Sequence, residues 1–129
     1  MYHDPCHTPI KTMQPMKVVN ELMGGGVPKS DRCCGESGTL AMTRPDISTQ
    51  VRFSKEESLL QGMRQFEGKS VKVLTSCPSC LQGLARFSHD TGAEADYIVV
   101  ELARRLLGED WLPQFVKKAN AGGIERVLL

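Results

Sequence analysis

Five cysteines are the residues most able to do chemistry in this sequence: Cys6, the neighbours Cys33 and Cys34, and the pair Cys77 and Cys80. "CPSC" at 77–80 is the strongest local signal. A two-residue gap lets two thiolates bind one metal, or two irons of one cluster, with little backbone strain. The alternatives for that pair are a thioredoxin-like dithiol or two packed thiols. In "DRCCGESGTLA" the two adjacent cysteines point their side chains apart, so a single ion is a poor common partner and a cluster of several metal atoms a better one. Gly35 provides the freedom for a turn there and lets backbone N–H groups face the sulfurs. Cys6 stands among His3, Asp4 and His7. Each of these could ligate or tune a metal. The plainer reading is a solvated or hydrogen-bonded histidine, and an aspartate that caps a turn.

Other motifs are weak. "GESG" and "GGG" have neither the Lys-Ser/Thr of a phosphate-binding loop nor dinucleotide spacing. Ser37, Ser76 and Ser79 have no evident His–Asp partners and are expected to cap helices or bond to sulfur. Lys55, Glu56 and Glu57 read as a solvated helix face. The methionines at 13, 16, 23, 42 and 63 read as core filler.

These residues need elements to position them. Turn residues in "YHDPCHTP" suggest a strand end running into a loop, with most of that strand missing, so the chain is expected to be a fragment of a longer protein. Helical spacing runs over 10–23, with Pro15 marking a kink or a late start. "VPKSDRCC" reads as extended, and a helix follows Gly38 through Met42. With Pro45 near its first turn, a longer helix spans 46–66, with Ile47, Val51, Leu59, Met63 and Phe66 on one face. "VKVLTS" at 71–76 is the clearest strand. Helices are expected over 80–88, 97–107 and 111–119. Val99, Leu102, Ala103, Leu106 and Leu107 are expected to face inward on the second of these, and Leu112, Phe115, Val116 and Ala119 on the third. "ERVLL" closes as a strand. The alternation predicts a single α/β domain over 1–129, a mostly parallel sheet flanked by helices, with the cysteine loops at the carboxyl ends of strands.

Bulk properties agree with one globular domain: 129 residues, 40% hydrophobic, 24% charged and net charge +1. No charge imbalance points to nucleic acid, and no apolar run is long enough for a membrane span. An odd, clustered cysteine count argues for a reducing compartment and a metal or redox site rather than a disulfide scaffold.

The pattern "HDPC…RCCGESG…SCPSC" resembles the cysteine-rich CCG domain found in heterodisulfide reductase. It is also similar to domains in the iron–sulfur subunits of glycolate oxidase, lactate-utilisation and glycerol-3-phosphate dehydrogenase systems. The resemblance spans about residues 2–107. It implies that Cys6, Cys33, Cys34, Cys77 and Cys80 hold a non-cubane four-iron four-sulfur cluster, with zinc as the alternative known among similar domains. "CCGESGTLA" followed by "RPDIS" looks most like the C-terminal part of large bacterial FAD-linked oxidoreductases. That resemblance implies FAD and ferredoxin-like modules upstream in the parent protein, not in this domain. It further implies a cytoplasmic location, with peripheral attachment to the inner membrane left open, and electron transfer from a 2-hydroxy acid such as lactate or glycolate. Two alternatives remain: a structural zinc module, or a thiol–disulfide domain using Cys77 and Cys80.

Overall fold

The computed structural model describes residues 1–36 and 39–122. The chain divides into two compact units, Met1–Ile98 and Val99–Leu129. The first is α/β. Strand β1 (Tyr2–His3) leads through helices α1 (Pro15–Met23), α2 (Leu40–Thr43) and α3 (Pro45–Met63) to β2 (Val71–Thr75). Helices α4 (Pro78–Ala85) and α5 (Ser88–Thr91) then lead to β3 (Ala93–Tyr97) and into α6 (Ile98–Leu107). The sheet is parallel, in the order β1-β2-β3, with Tyr2 opposite Leu74 and Thr75 opposite Tyr97.

Strand β2 is central and is covered on both faces, so Val71, Val73, Leu74 and Thr75 are all buried and only Lys72 is partly exposed. Val71 and Val73 pack with Met1, Leu59, Leu84, Phe87 and Ala93 on one side. Leu74 packs with Tyr2, Val19 and Ile98 on the other. On the far edge of β1, Tyr2 N–H donates to the Pro28 carbonyl and Ser30 N–H to the Tyr2 carbonyl. The extended lead into Cys33 is thus hydrogen-bonded to the sheet edge.

Several sequence expectations change. Helix α1 starts late, with Pro15 in its first turn, where a missing N–H costs nothing. Helix α4 begins at Pro78, two residues before the expected start, because the proline presets the first helical φ. Strand β3, "AEADY", has no apolar run to announce it; pairing with β2 forms it. On α3, Ser48, Lys55 and Leu59 are buried, whereas Ile47 is exposed. Apolar side chains are spread around that helix, and the sheet and the cysteine loop select its inner face. Met13 and Met42 are exposed, not core.

The second unit carries the rest of α6, together with α7 (Trp111–Asn120). Both helices are amphipathic, but Val99, Leu106, Leu107, Leu112, Phe115 and Val116, expected to face inward, are exposed. Two short helices alone bury little apolar area. The expected strand "ERVLL" lies outside the described residues.

Candidate metal centre

The three cysteine segments leave the sheet at the same end. Cys6 follows β1 by three residues and Cys77 follows β2 by two, while Cys33 and Cys34 follow the strip hydrogen-bonded to β1. A cavity of about 150 Å³ is lined by Pro5, Cys6, His7, Cys34, Cys77, Ser79 and Cys80. Cys33 stands just beside it, its sulfur 4.0 Å from that of Cys6. The Cys34 and Cys80 sulfurs are 3.2 Å apart. All five cysteines are free. Tetrahedral thiolates bound at about 2.3 Å would sit about 3.8 Å from one another, so the two observed separations bracket what a metal requires. The vicinal pair diverges: Cys33 turns to Cys6 and Cys34 to Cys80. Gly35, at φ +79°, makes the turn and donates its N–H to the Cys33 sulfur at 3.4 Å.

The backbone at Cys77 and Cys34 is held by identifiable contacts. Cys77 precedes Pro78 at the start of α4, and its carbonyl accepts the first helical bond, from Leu81. Cys34 lies against α4 at Gly83, where an added Cβ would come 3.2 Å from the Cys34 carbonyl and 2.6 Å from the Glu36 side chain. Glu36 cannot swing aside freely, because it is paired with Arg52 at 3.1 Å and with Arg86. Replacing Gly83 with Ala is therefore expected to push the CCG loop off α4. We expect a loss of about 1–3 kcal/mol in urea unfolding of the metal-free chain, together with impaired iron uptake. An unchanged unfolding midpoint would show that this approach is not needed.

Cys34 and Cys80 share a proton. Their 3.2 Å hydrogen bond lowers the Cys34 thiol from 9.0 to about 4; burial opposes this and His3 adds to the lowering. The same bond, with burial, pushes the Cys80 thiol up. Burial likewise raises Cys6, with the neighbouring Cys33 adding to it. In the folded metal-free chain one thiolate therefore persists down to about pH 4, whereas an unfolded thiol near 9 is already protonated there. A lowered acid contributes stability fully above its unfolded value and loses it as pH falls through the folded one. The ultraviolet thiolate absorbance of the reduced, metal-free chain should hold from neutral pH to about 5, fall near 4, and vanish at pH 6 on adding denaturant. Constant absorbance on unfolding at pH 6 would contradict the shared proton.

Two residues stand behind the sulfurs: His3, which the sequence reading named as a possible ligand or tuning group, and Lys55, which it missed. His3 is buried, 2% exposed, and one of its ring nitrogens lies with the Cys34 and Cys80 sulfurs inside a 4.8 Å group. Lys55 is not on a solvated face: it is 0% exposed, and burial lowers its ammonium to about 8, with the Cys34 thiolate partly offsetting this. Its Nζ lies 2.6 Å from the Asp31 carbonyl, 2.8 Å from the Ser30 hydroxyl, 3.1 Å from His3 Nδ1 and 3.2 Å from the Arg32 carbonyl, four acceptors for three N–H groups, so at least one N–H is shared. The available signal was spacing. Ser48, Arg52, Lys55 and Leu59 recur at four, three and four residues, a single stripe down α3. Of the serines, Ser76 bonds the Tyr2 hydroxyl at 3.0 Å; Ser37 lies outside the described residues. Asp4 Oδ1 is buried without a partner among the described residues.

The family model of the cysteine-rich CCG domain matches residues 1–85, the stretch that carries all five cysteines. This chain belongs to the cysteine-rich CCG family. Residues 85–129 match a second model, domain of unknown function DUF3400. Over 86 residues the CCG chain is 30% identical to a fumarate reductase (CoM/CoB) subunit from Methanothermobacter marburgensis, covering 61% of this chain and 16% of that protein. Over 59 residues it is 37% identical to the glycolate oxidase iron-sulfur subunit of Escherichia coli, covering 46% of this chain and 13% of that protein. The chain thus spans less than a fifth of either relative. No solved structure matches it. No helix among the described residues is long and apolar enough to cross a membrane.

Proposed function

We propose that this CCG domain is an electron-transfer module that binds an iron–sulfur cluster through Cys6, Cys33, Cys34, Cys77 and Cys80. The observation that carries the reading is the divergence of the vicinal pair, with Cys33 facing Cys6 and Cys34 facing Cys80. Four cysteines line the cavity and Cys33 stands beside it against Cys6, one thiol more than a structural zinc takes, and adjacent thiolates turned to different partners suit a centre with more than one metal atom. When bound, such a cluster supplies reversible one-electron chemistry. The protein's part is to hold the thiolates, to aim the Gly35 N–H at the Cys33 sulfur, and to wall the centre with Pro5 and α4. Cys34 is already a thiolate in the metal-free fold, so one ligand is ready for metal.

The iron-sulfur subunit of the glycolate oxidase supports a role in a larger oxidoreductase. We read the chain as one piece of such a protein, a C-terminal domain receiving electrons from flavin and ferredoxin-like modules that act on a 2-hydroxy acid. A thiol–disulfide role of Cys77 and Cys80 is the weaker reading, because Cys80 has Cys34 at 3.2 Å as well as Cys77 beside it and is not one of an isolated pair.

Reconstitution under anaerobic conditions with ferrous iron and sulfide tests the reading. The expected product is brown, with about four irons and four sulfides per chain. A colourless protein that takes up one zinc and no sulfide would replace this reading with the structural-zinc one.

A further inference from the structure

We infer that Lys55 fixes the buried His3 with Nδ1 as hydrogen-bond acceptor and Nε2 as the proton-bearing nitrogen, making His3 a hydrogen-bond donor to the Cys34 and Cys80 sulfurs rather than a metal ligand. The inference rests on the proposed cluster site for its effect on potential, but not for the hydrogen-bond assignment itself.

An ammonium only donates. Lys55 Nζ stands 3.1 Å from His3 Nδ1, so that nitrogen must present its lone pair and the ring proton of the neutral imidazole falls on Nε2. Nε2 is fully buried and has no hydrogen-bond partner, sulfur included, among the described residues, so its proton is unspent in the metal-free fold. The polar atoms grouped with this imidazole are the sulfurs of Cys34 and Cys80. A histidine that ligates a metal normally donates its other ring N–H to a carboxylate, a carbonyl or water. Here the other ring nitrogen faces a cation that cannot accept. Ligation through Nε2 would require an imidazolate, which nothing else around the ring favours. His3 therefore has a ring nitrogen within 4.8 Å of both sulfurs yet is set up to donate to them.

Lys55 is held in turn. The Asp31 carbonyl, the Ser30 hydroxyl and the Arg32 carbonyl surround it, all from the loop that delivers Cys33 and Cys34. Arg32 adopts φ +68°, a left-handed conformation that a long side chain rarely takes. The lysine fixes the backbone that carries the vicinal pair and the histidine that faces one of its sulfurs, so both are positioning residues. Hydrogen bonds to cluster sulfurs, together with a buried positive charge nearby, favour the reduced cluster.

The assignment can be read without any variant. In the zinc-loaded, ¹⁵N-histidine-labelled chain, the His3 resonances, assigned through their loss in His3→Leu, should show a protonated Nε2 and an unprotonated, hydrogen-bonded Nδ1. A protonated Nδ1, or an Nε2 that loses its proton on metal binding, overturns the inference. The effect on potential is read in the iron-reconstituted chain. His3→Leu should lower the midpoint so that the reduced-to-oxidised ratio at fixed potential falls about tenfold, equivalent to about 59 mV for one electron. His3→Gln places an amide N–H near Nε2 and should restore most of that shift. Equal potentials in wild type and both variants overturn the donor role, since a purely structural histidine would change stability and leave the potential in place. If the wild type takes up no iron or sulfide, the cluster reading fails, and the imidazole measurement still decides the role of Lys55.

Discussion

Replacing Cys34 with Ser should reduce iron retained after anaerobic reconstitution at least about tenfold, because the loss of an outer-shell partner alone costs about 10–100-fold in metal affinity and this change removes a candidate ligand. The same change in Cys33 should also deplete iron, but the two variants part in the metal-free state. Cys34 is the residue whose thiol is lowered to about 4, by its hydrogen bond with Cys80. Cys34→Ser should therefore abolish the thiolate absorbance that persists at pH 6, whereas Cys33→Ser should retain it. The fold should survive both changes, since each exchanges one small side chain for another. Iron, sulfide and pH-dependent absorbance measured on the two variants form the check. Full iron content in Cys34→Ser would remove this sulfur from the site.

Lys55→Met should cost about 2–4 kcal/mol, a large share of the stability of a domain this size. Methionine fills a similar volume but leaves the Asp31 and Arg32 carbonyls, the Ser30 hydroxyl and His3 Nδ1 without their donor. Each buried acceptor so stranded costs about 1–3 kcal/mol. Relief is partial: burial already works against the ammonium, lowering it to about 8, so removing the charge returns some desolvation energy. In urea the midpoint is expected to fall by about 1–2 M. The loop around Arg32 loses the contact that holds its positive φ, so amide exchange over 30–34 should accelerate more than over β2. An unchanged midpoint would mean that the lysine is dispensable to the fold.

Both predictions turn on the same contrast. The cysteines are legible because their chemistry is carried by type and local spacing: CPSC, CCG and a lone Cys each follow an extended segment, and a parallel sheet delivers such segments to one end. The α/β class is legible for the same reason, since "VKVLT" between two helical stretches leaves few other arrangements. Strand β3 is not, because "AEADY" has neither length nor apolar alternation, and only the edge of β2 makes it a strand. The inner face of α3 is not legible either. Its apolar side chains point several ways, and what turns Ser48 and Lys55 inward is the presence, across space, of the Gly35 carbonyl and the loop at 30–32.

The amino-acid sequence by itself determined which atoms are available for metal chemistry, and that they would be delivered by loops following extended segments. Tertiary structure alone decided how the sulfurs sort, Cys33 with Cys6 and Cys34 with Cys80, and that a lysine from mid-helix stands behind them with a histidine from the first strand. The physical reason is range. Ligand type and two-residue spacing are local properties of the chain, whereas the burial of a charge and the direction of a hydrogen bond depend on partners separated by 23 to 52 positions.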